Sequence, residues 1–216
     1  MGMLSRVAMK GLLALDMPRR LQRLLDMNQR LPDFANNPSD LKIARPFRVS
    51  NPKSISIGNH VRLGAGCVFS PLMRYPGRWL SDTADEENQQ SFNPQLRIGN
   101  GVVATGNLQI YVQSEVDIGD DVMFASNVFI NDAAHGYAVA DIPYKDQPLW
   151  KIHPITIGEG CWIGQNVVIL PGVKIGPFSI VGANSVVTKD IPARTIAAGA
   201  PARVIKTWDS FKRAWV

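Results

Sequence analysis

His135 is the residue in this chain best suited to chemistry. It stands in the run NDAAHGY, beside Gly136, within a long loop-forming stretch. An imidazole titrates near working pH, so it can take a proton from a hydroxyl as that hydroxyl attacks an electrophile. Asp132 is of the right type to orient the ring, and Asn131 and Tyr137 stand where they could touch an acceptor. Each also reads as an ordinary turn or loop residue. No serine or cysteine stands out as an activated nucleophile, which favours direct transfer over a covalent intermediate. The chain has three histidines, His60, His135 and His153. Three could hold zinc, but no metal-ligand spacing relates them, and no residue is assigned to a metal. Lys189, Arg203 and Lys206 gather toward the C-terminal end. They could meet phosphates by charge-assisted hydrogen bonds or serve only as solubilising surface charge.

The element that must position these groups is the stretch from Ile157 to Pro192. Ile157, Ile163, Ile169, Ile175, Val181 and Val187 fall one every six residues, and Gly158, Gly164, Gly176 and Gly182 follow four of them. Cys161, Val167, Val173, Ser179 and Ser185 fall four residues after successive aliphatic positions. A six-residue beat marks a parallel β-helix, in which each turn buries its neighbour's core. On a pleated strand Cys161 and Ile163 share a face, as do Val167 with Ile169 and Ser185 with Val187, so each pair points inward. Trp162 and Val168 lie between inward pairs and face outward. Gln165-Asn166, Pro171-Gly172 and Ala183-Asn184 are turn formers.

The beat begins at Ile57-Gly58 and Leu63-Gly64 and stops after Phe69. Residues 71–97 then form an insertion whose acidic run, including Asp82, Asp85, Glu86 and Glu87, reads as solvated loop. The beat resumes at Ile98, is irregular from Ala104 to Tyr111, and returns at Ile118, Phe124 and Ile130. The spacing from Ile98 to Ile118 is not a multiple of six, so one corner carries extra residues. A second insertion, 131–154, is rich in Tyr, Trp and Pro; loops of that length in a repeat are usually functional or disordered, and its composition favours function.

At the ends, residues 4–15 and 18–27 have the spacing of amphipathic helices, with Arg19, Arg20 and Arg23 beside the apolar face. They read as a cap on the coil or as a basic surface that meets a membrane. Residues 31–50, rich in Pro and Asn, read as a linker. Trp208, Phe211 and Trp215 have the spacing of a short C-terminal helix. The expected organisation is therefore a helical cap and linker over 1–50, a β-helix over 51–205, and a helix over 206–216.

The totals narrow the classes further. A chain of 216 residues with 45% hydrophobic and 19% charged residues folds as one ordinary globular domain with a small appendage. A net charge of +5 suits an anionic ligand, yet no basic run with interleaved aromatics points to nucleic acid. Cys67 and Cys161 both fall on inward positions, so they read as buried thiols, consistent with a reducing cytoplasm. No window approaches the length of a membrane span.

The run CWIGQNVVILPGVKIGPFSIVGANSVVTKDIPARTIAAGAPARVIK resembles the C-terminal half of the hexapeptide-repeat O-acetyltransferases, the galactoside and maltose enzymes and the sugar acetyltransferases of surface-polysaccharide synthesis among them. The pair VVTKDIP and AAGAPARVIK is its most specific part, and the likeness extends from about Ala104 to Lys206. The resemblance implies a mainly β fold with a left-handed coil, a homotrimer with active sites between subunits, and acetyl-CoA as co-substrate, without a metal. It places His135 on the catalytic histidine and Trp162 on a tryptophan walling the groove. Gln165, Ala183, Thr188, Lys189, Arg203 and Lys206 fall on positions that contact the cofactor. The acceptor-binding asparagine of the family falls on Thr105, with Asn107 two residues on. The implied activity is O-acetylation of a sugar of the cell surface, in the cytoplasm or at the inner face of its membrane. N-acetylation of an amino sugar, a non-catalytic scaffold, and a zinc enzyme resembling the β-helical carbonic anhydrases are the alternatives.

Overall fold

The computed structural model describes residues 31–75 and 89–216. The helices expected over 4–15 and 18–27, and the acidic run of the first insertion, lie outside the described residues. From Asp33 to Val216 the chain forms one unit.

That unit is a parallel coil with three flat faces. Face A stacks Lys42–Ile43, Arg62–Leu63, Val103–Ala104, Met123–Phe124, Trp162–Ile163, Ile180–Val181 and Thr195–Gly199. Face B stacks Arg48–Val49, Val68–Pro71, Gln109–Val112, Phe129–Asn131, Val168–Ile169 and Val186–Val187. Face C stacks Ile55–Ile57, Gln95–Ile98, Glu115–Ile118, Ile155–Ile157 and Lys174–Ile175. The chain visits A, B and C in turn.

The alternation expected of the pleat is present. Cys161, Ile163, Val167, Ile169, Val173, Ile175, Ser179, Val181, Ser185 and Val187 are all buried, and Trp162 is exposed. The two inward serines do not leave polar groups stranded: Ser179 Oγ donates to Pro192 O at 2.7 Å and Ser185 Oγ to Gly182 O at 2.6 Å. The glycine after each aliphatic residue has a steric cause. A Cβ on Gly158 would lie 2.6 Å from Pro177 N, and one on Gly64 would lie 1.8 Å from Thr105 O. Successive turns approach backbone to backbone at these corners, and no side chain fits between them.

The extra residues fall at one corner. Ile163 aligns with Val181 eighteen residues on, whereas Ile98 aligns with Ile118 and Ile110 with Ile130, twenty residues on. The additional pair lies where face B passes to face C, at Gln113-Ser114. Both insertions leave the coil at this same corner.

Two expectations are corrected. The coil begins earlier than the linker reading of 31–50 allowed: Lys42–Ile43 and Arg48–Val49 already pair in parallel with the next turn, and Phe34 is buried in the core. Prolines and asparagines there mark coil corners. The C-terminal segment is not a helix. Ala202–Asp209 folds back antiparallel on Thr195–Gly199, and Ala214–Trp215 pairs with Trp208 and Asp209. The last strand of face A would otherwise expose an unpaired edge, and the hairpin satisfies it. Trp208 and Trp215 meet across strands with ring centroids 5.3 Å apart, while Phe211 stands in the turn, 98% exposed. Among the described residues no helix is long and apolar enough to cross a membrane.

Candidate active site

The two insertions build the site at the B–C corner. The first opens with Arg74–Tyr75 antiparallel to Gln90–Ser91. The second opens with Ala134–His135 antiparallel to Leu149–Trp150, in the register His135 to Leu149. The turn between them, Val112 to Glu115, makes the same corner without an insertion, so the arms flank it. They are joined to each other. Gln90 Nε2 donates to Leu149 O at 3.1 Å, and Gln90 Oε1 accepts the Leu149 N–H at 2.7 Å. The Tyr75 hydroxyl donates to Lys145 O at 3.3 Å and lies 3.3 Å from His135 Nδ1. The two rings meet edge to face with centroids 5.5 Å apart.

The second arm is also tied within itself. Buried Gln147 donates to Val139 O at 2.8 Å and Ile142 O at 2.9 Å and accepts the Val139 N–H at 3.3 Å. One amide thus closes the loop that carries the Pro- and aromatic-rich run. His135 stays exposed at its base. Tyr137 and Trp150 stand beside it as an exposed aromatic pair, centroids 4.9 Å apart, with Lys151 Nζ 5.2 Å from each ring. Exposed aromatic faces with a cation alongside are suited to stacking on a sugar or base that carries negative charge.

Asp132 has a different position from the one its type suggested. Ile130 points inward and Asn131 outward, so the pleat turns Asp132 inward again. It is fully buried, and its carboxylate accepts the Gln113 N–H at 2.8 Å and the Ser114 N–H at 2.7 Å. It therefore caps the expanded corner rather than reaching the His135 ring or an acceptor. Burial pushes its pKa up to about 6, against the opposing pull of the backbone N–H groups. Asn131 accepts the Ala133 N–H at 3.2 Å and shapes the start of the arm.

The remaining candidates divide between two edges. Thr188 and Lys189 follow Val186–Val187 and so lie at the B–C corner, two turns beyond His135. Thr105, Asn107, Gln165 and Ala183 lie at the A–B corner. Asn107 belongs to a ladder there: its Nδ2 donates to Asn127 at 2.9 Å, Asn127 to Asn166 at 3.1 Å, and Asn166 to Asn184 at 2.9 Å. All four have positive φ, which suits asparagine at a corner that needs a left-handed residue. Thr105 Oγ1 donates to Phe124 O at 3.4 Å. Trp162 lies on face A, and Arg203 and Lys206 are exposed on the terminal hairpin paired to that face. Face B separates the two groups within one chain.

The outer surfaces differ in character. Face A presents a column of Val103, Met123 and Trp162, 38%, 42% and 46% exposed and in register with each other. Face C presents Ser56, Arg97, Asp117, Thr156 and Lys174, with Arg97 paired to Glu115 and to Asp117. His60 is a corner residue beside Asp40, remote in the coil from the arm that holds His135 and His153. Among the described residues no group of three or more His, Cys, Asp or Glu is placed to hold a metal.

Residues 154–189 match the bacterial transferase hexapeptide (six repeats) family. Over 116 residues the chain is 44% identical to a galactoside O-acetyltransferase of Escherichia coli, which covers 54% of this chain and 56% of that one. Over 130 residues it is 38% identical to a putative lipopolysaccharide biosynthesis O-acetyl transferase of the same organism, covering 54% of this chain and 66% of that one. An N-acyltransferase of Bacillus cereus, solved with dTDP and coenzyme A, shares the fold at a TM-score of 0.64 and 21% identity, over 91% of each chain. Residues 154–189 thus carry the hexapeptide repeat, and the chain is similar over about half its length to acetyltransferases. It spans between about half and two thirds of the length of the curated relatives it matches.

Proposed function

We propose that the protein transfers an acetyl group from acetyl-CoA to a hydroxyl of a sugar, in the synthesis of a surface polysaccharide or lipopolysaccharide. The observation that carries this reading is the exposed His135 imidazole, held at the base of two joined arms on a hexapeptide coil related to sugar acetyltransferases. In the reaction, His135 takes the hydroxyl proton as the oxygen attacks the thioester carbonyl. The C–S bond then breaks, and the proton passes to the CoA sulfur, leaving the ester and free CoA. Tyr137 and Trp150 offer a stacking surface for the acceptor. Lys189, Arg203 and Lys206 supply positive charge for CoA phosphates, Gln165, Ala183 and Thr188 line the pantetheine path, and Trp162 walls the groove.

The division of these residues between two edges of one chain supports a site completed by a second copy. We read the assembly as a homotrimer of left-handed coils, with the apolar column of face A covered and the charged face C in solvent. The location that fits is the cytoplasm, at or near the inner membrane surface.

The test is a panel of sugars and amino sugars incubated with acetyl-CoA and the full chain, with CoA release and product mass both followed. An acetyl ester is the expected product. An amide on an amino sugar would replace O-transfer with N-transfer, and absence of both CoA binding by calorimetry and product would overturn the reading. His135→Ala is expected to lower turnover on the order of 10²–10⁴-fold with CoA affinity unchanged; near wild-type turnover removes His135 from its role.

A further inference from the structure

The first insertion brings Tyr75 against the His135 ring. The inference from this contact rests on the proposed role of His135 and deepens it. Tyr75 is 7% exposed, and its hydroxyl oxygen has two neighbours, Lys145 O and His135 Nδ1, each at 3.3 Å. A phenol has one proton to give and a carbonyl can only accept. We propose that the Tyr75 proton goes to Lys145 O, so that the Tyr75 oxygen accepts from His135 Nδ1–H, leaving Nε2 unprotonated and free to take the acceptor's proton. Tyr75 is then a positioning residue, setting the tautomer and the tilt of the ring without touching substrate.

The surroundings favour that arrangement. The edge-to-face contact at 5.5 Å restricts rotation of the imidazole about its outer bond. The His135 main chain is in ladder register with Leu149, which Gln90 clamps from the first arm. Burial raises the Tyr75 pKa above its ordinary value, so the phenol keeps its proton at neutral pH. The two 3.3 Å contacts are long; hydrogen bonds of this kind commonly tighten when substrate enters. Without such a partner, an imidazole in water prefers the form protonated at Nε2, in which the nitrogen assigned to catalysis has no free pair.

The experiment is nitrogen NMR of full-length protein labelled in its three histidines, with the His135 signals assigned by their loss in His135→Ala. At a pH where the ring is neutral, the wild type is expected to show a protonated Nδ1 and a bare Nε2. Tyr75→Phe keeps the ring packing and removes only the hydroxyl; its His135 is expected to revert to the Nε2–H form. In acetyl transfer, the same variant is expected to lose turnover on the order of 10-fold to 100-fold with the KM for acetyl-CoA unchanged. A wild-type ring already protonated at Nε2, or a Tyr75→Phe spectrum identical to the wild type, overturns the inference. The spectrum is read without any acyl transfer, so failure of the proposed activity and failure of this assignment are separable.

Discussion

Gln90 pairs with the main chain of Leu149 as a neighbouring strand would, donating to its carbonyl at 3.1 Å and accepting from its N–H at 2.7 Å. One side chain thereby fastens the first insertion to the strand that stands opposite His135. Each bond of this kind contributes about 0.5–1.5 kcal/mol net. Gln90→Ala should therefore raise amide exchange at Leu149 by on the order of 10-fold. The thermal midpoint should hardly move, because the coil core does not depend on the arms. Unchanged exchange at Leu149 would show that the arms hold together without the clamp.

Asp132 should leave a signature in stability against pH. Its native pKa of about 6 lies above the ordinary 3.8, so the native state holds an extra proton between those values. The stability this group contributes is complete below about pH 3.8 and is lost as pH rises through 6. The shift corresponds to about 3 kcal/mol. Asp132→Asn cannot titrate. Wild-type stability relative to this variant should fall from pH 4 to pH 7, read from denaturant midpoints; a difference that does not vary with pH contradicts the assignment. Asp132→Ala leaves the Gln113 and Ser114 N–H groups without their acceptor and should cost about 2–4 kcal/mol near pH 7, and more toward pH 4, because alanine cannot titrate either.

Gly158 tests the packing of turn on turn. A Cβ there would meet Pro177 N at 2.6 Å and Pro177 Cα at 2.8 Å, both main-chain atoms that cannot give way locally. Gly158→Ala should cost about 1–3 kcal/mol in chemical denaturation. At Gly182 the nearest atom is the Ala198 methyl at 3.0 Å, so Gly182→Ala should cost less. Equal costs at the two sites would mean that the coil breathes enough to absorb a methyl at either.

Trp162 tests the proposed assembly. It lies outward on face A between Met123 and Ile180, and the fold does not need it. If the apolar column is covered in a trimer, Trp162→Glu buries a charge in the interface and should yield folded protein of the 23.7 kDa protomer mass by sedimentation, against three times that for the wild type. A variant that keeps the trimeric mass would put the interface elsewhere.

Much of the coil was legible from residue order because its code is local. An aliphatic residue every six, a small residue four behind the beat, and glycine where backbones touch specify strand, face and corner without reference to distant partners. Where the pattern was interrupted, local reading failed. The strands at Lys42–Ile43 and Arg48–Val49 are as long as those the beat revealed, but no glycine follows Ile43 or Val49 to mark them among the prolines. The aromatic spacing after Lys206 fits a helix as well as a hairpin, and only the unpaired edge of face A selects the hairpin.

Sequence order by itself determined the repeat, the inward residues, the two insertions and the choice of His135 as the chemically apt side chain. The tertiary structure alone decided what surrounds that histidine. Tyr75 and Gln90 stand about sixty residues from the groups they touch and carry no periodic signal, since their partners are set by which corner each arm leaves. Asp132 was read as a neighbour of the ring because it is close in sequence. The pleat turned it inward instead, where two backbone N–H groups were waiting for an acceptor.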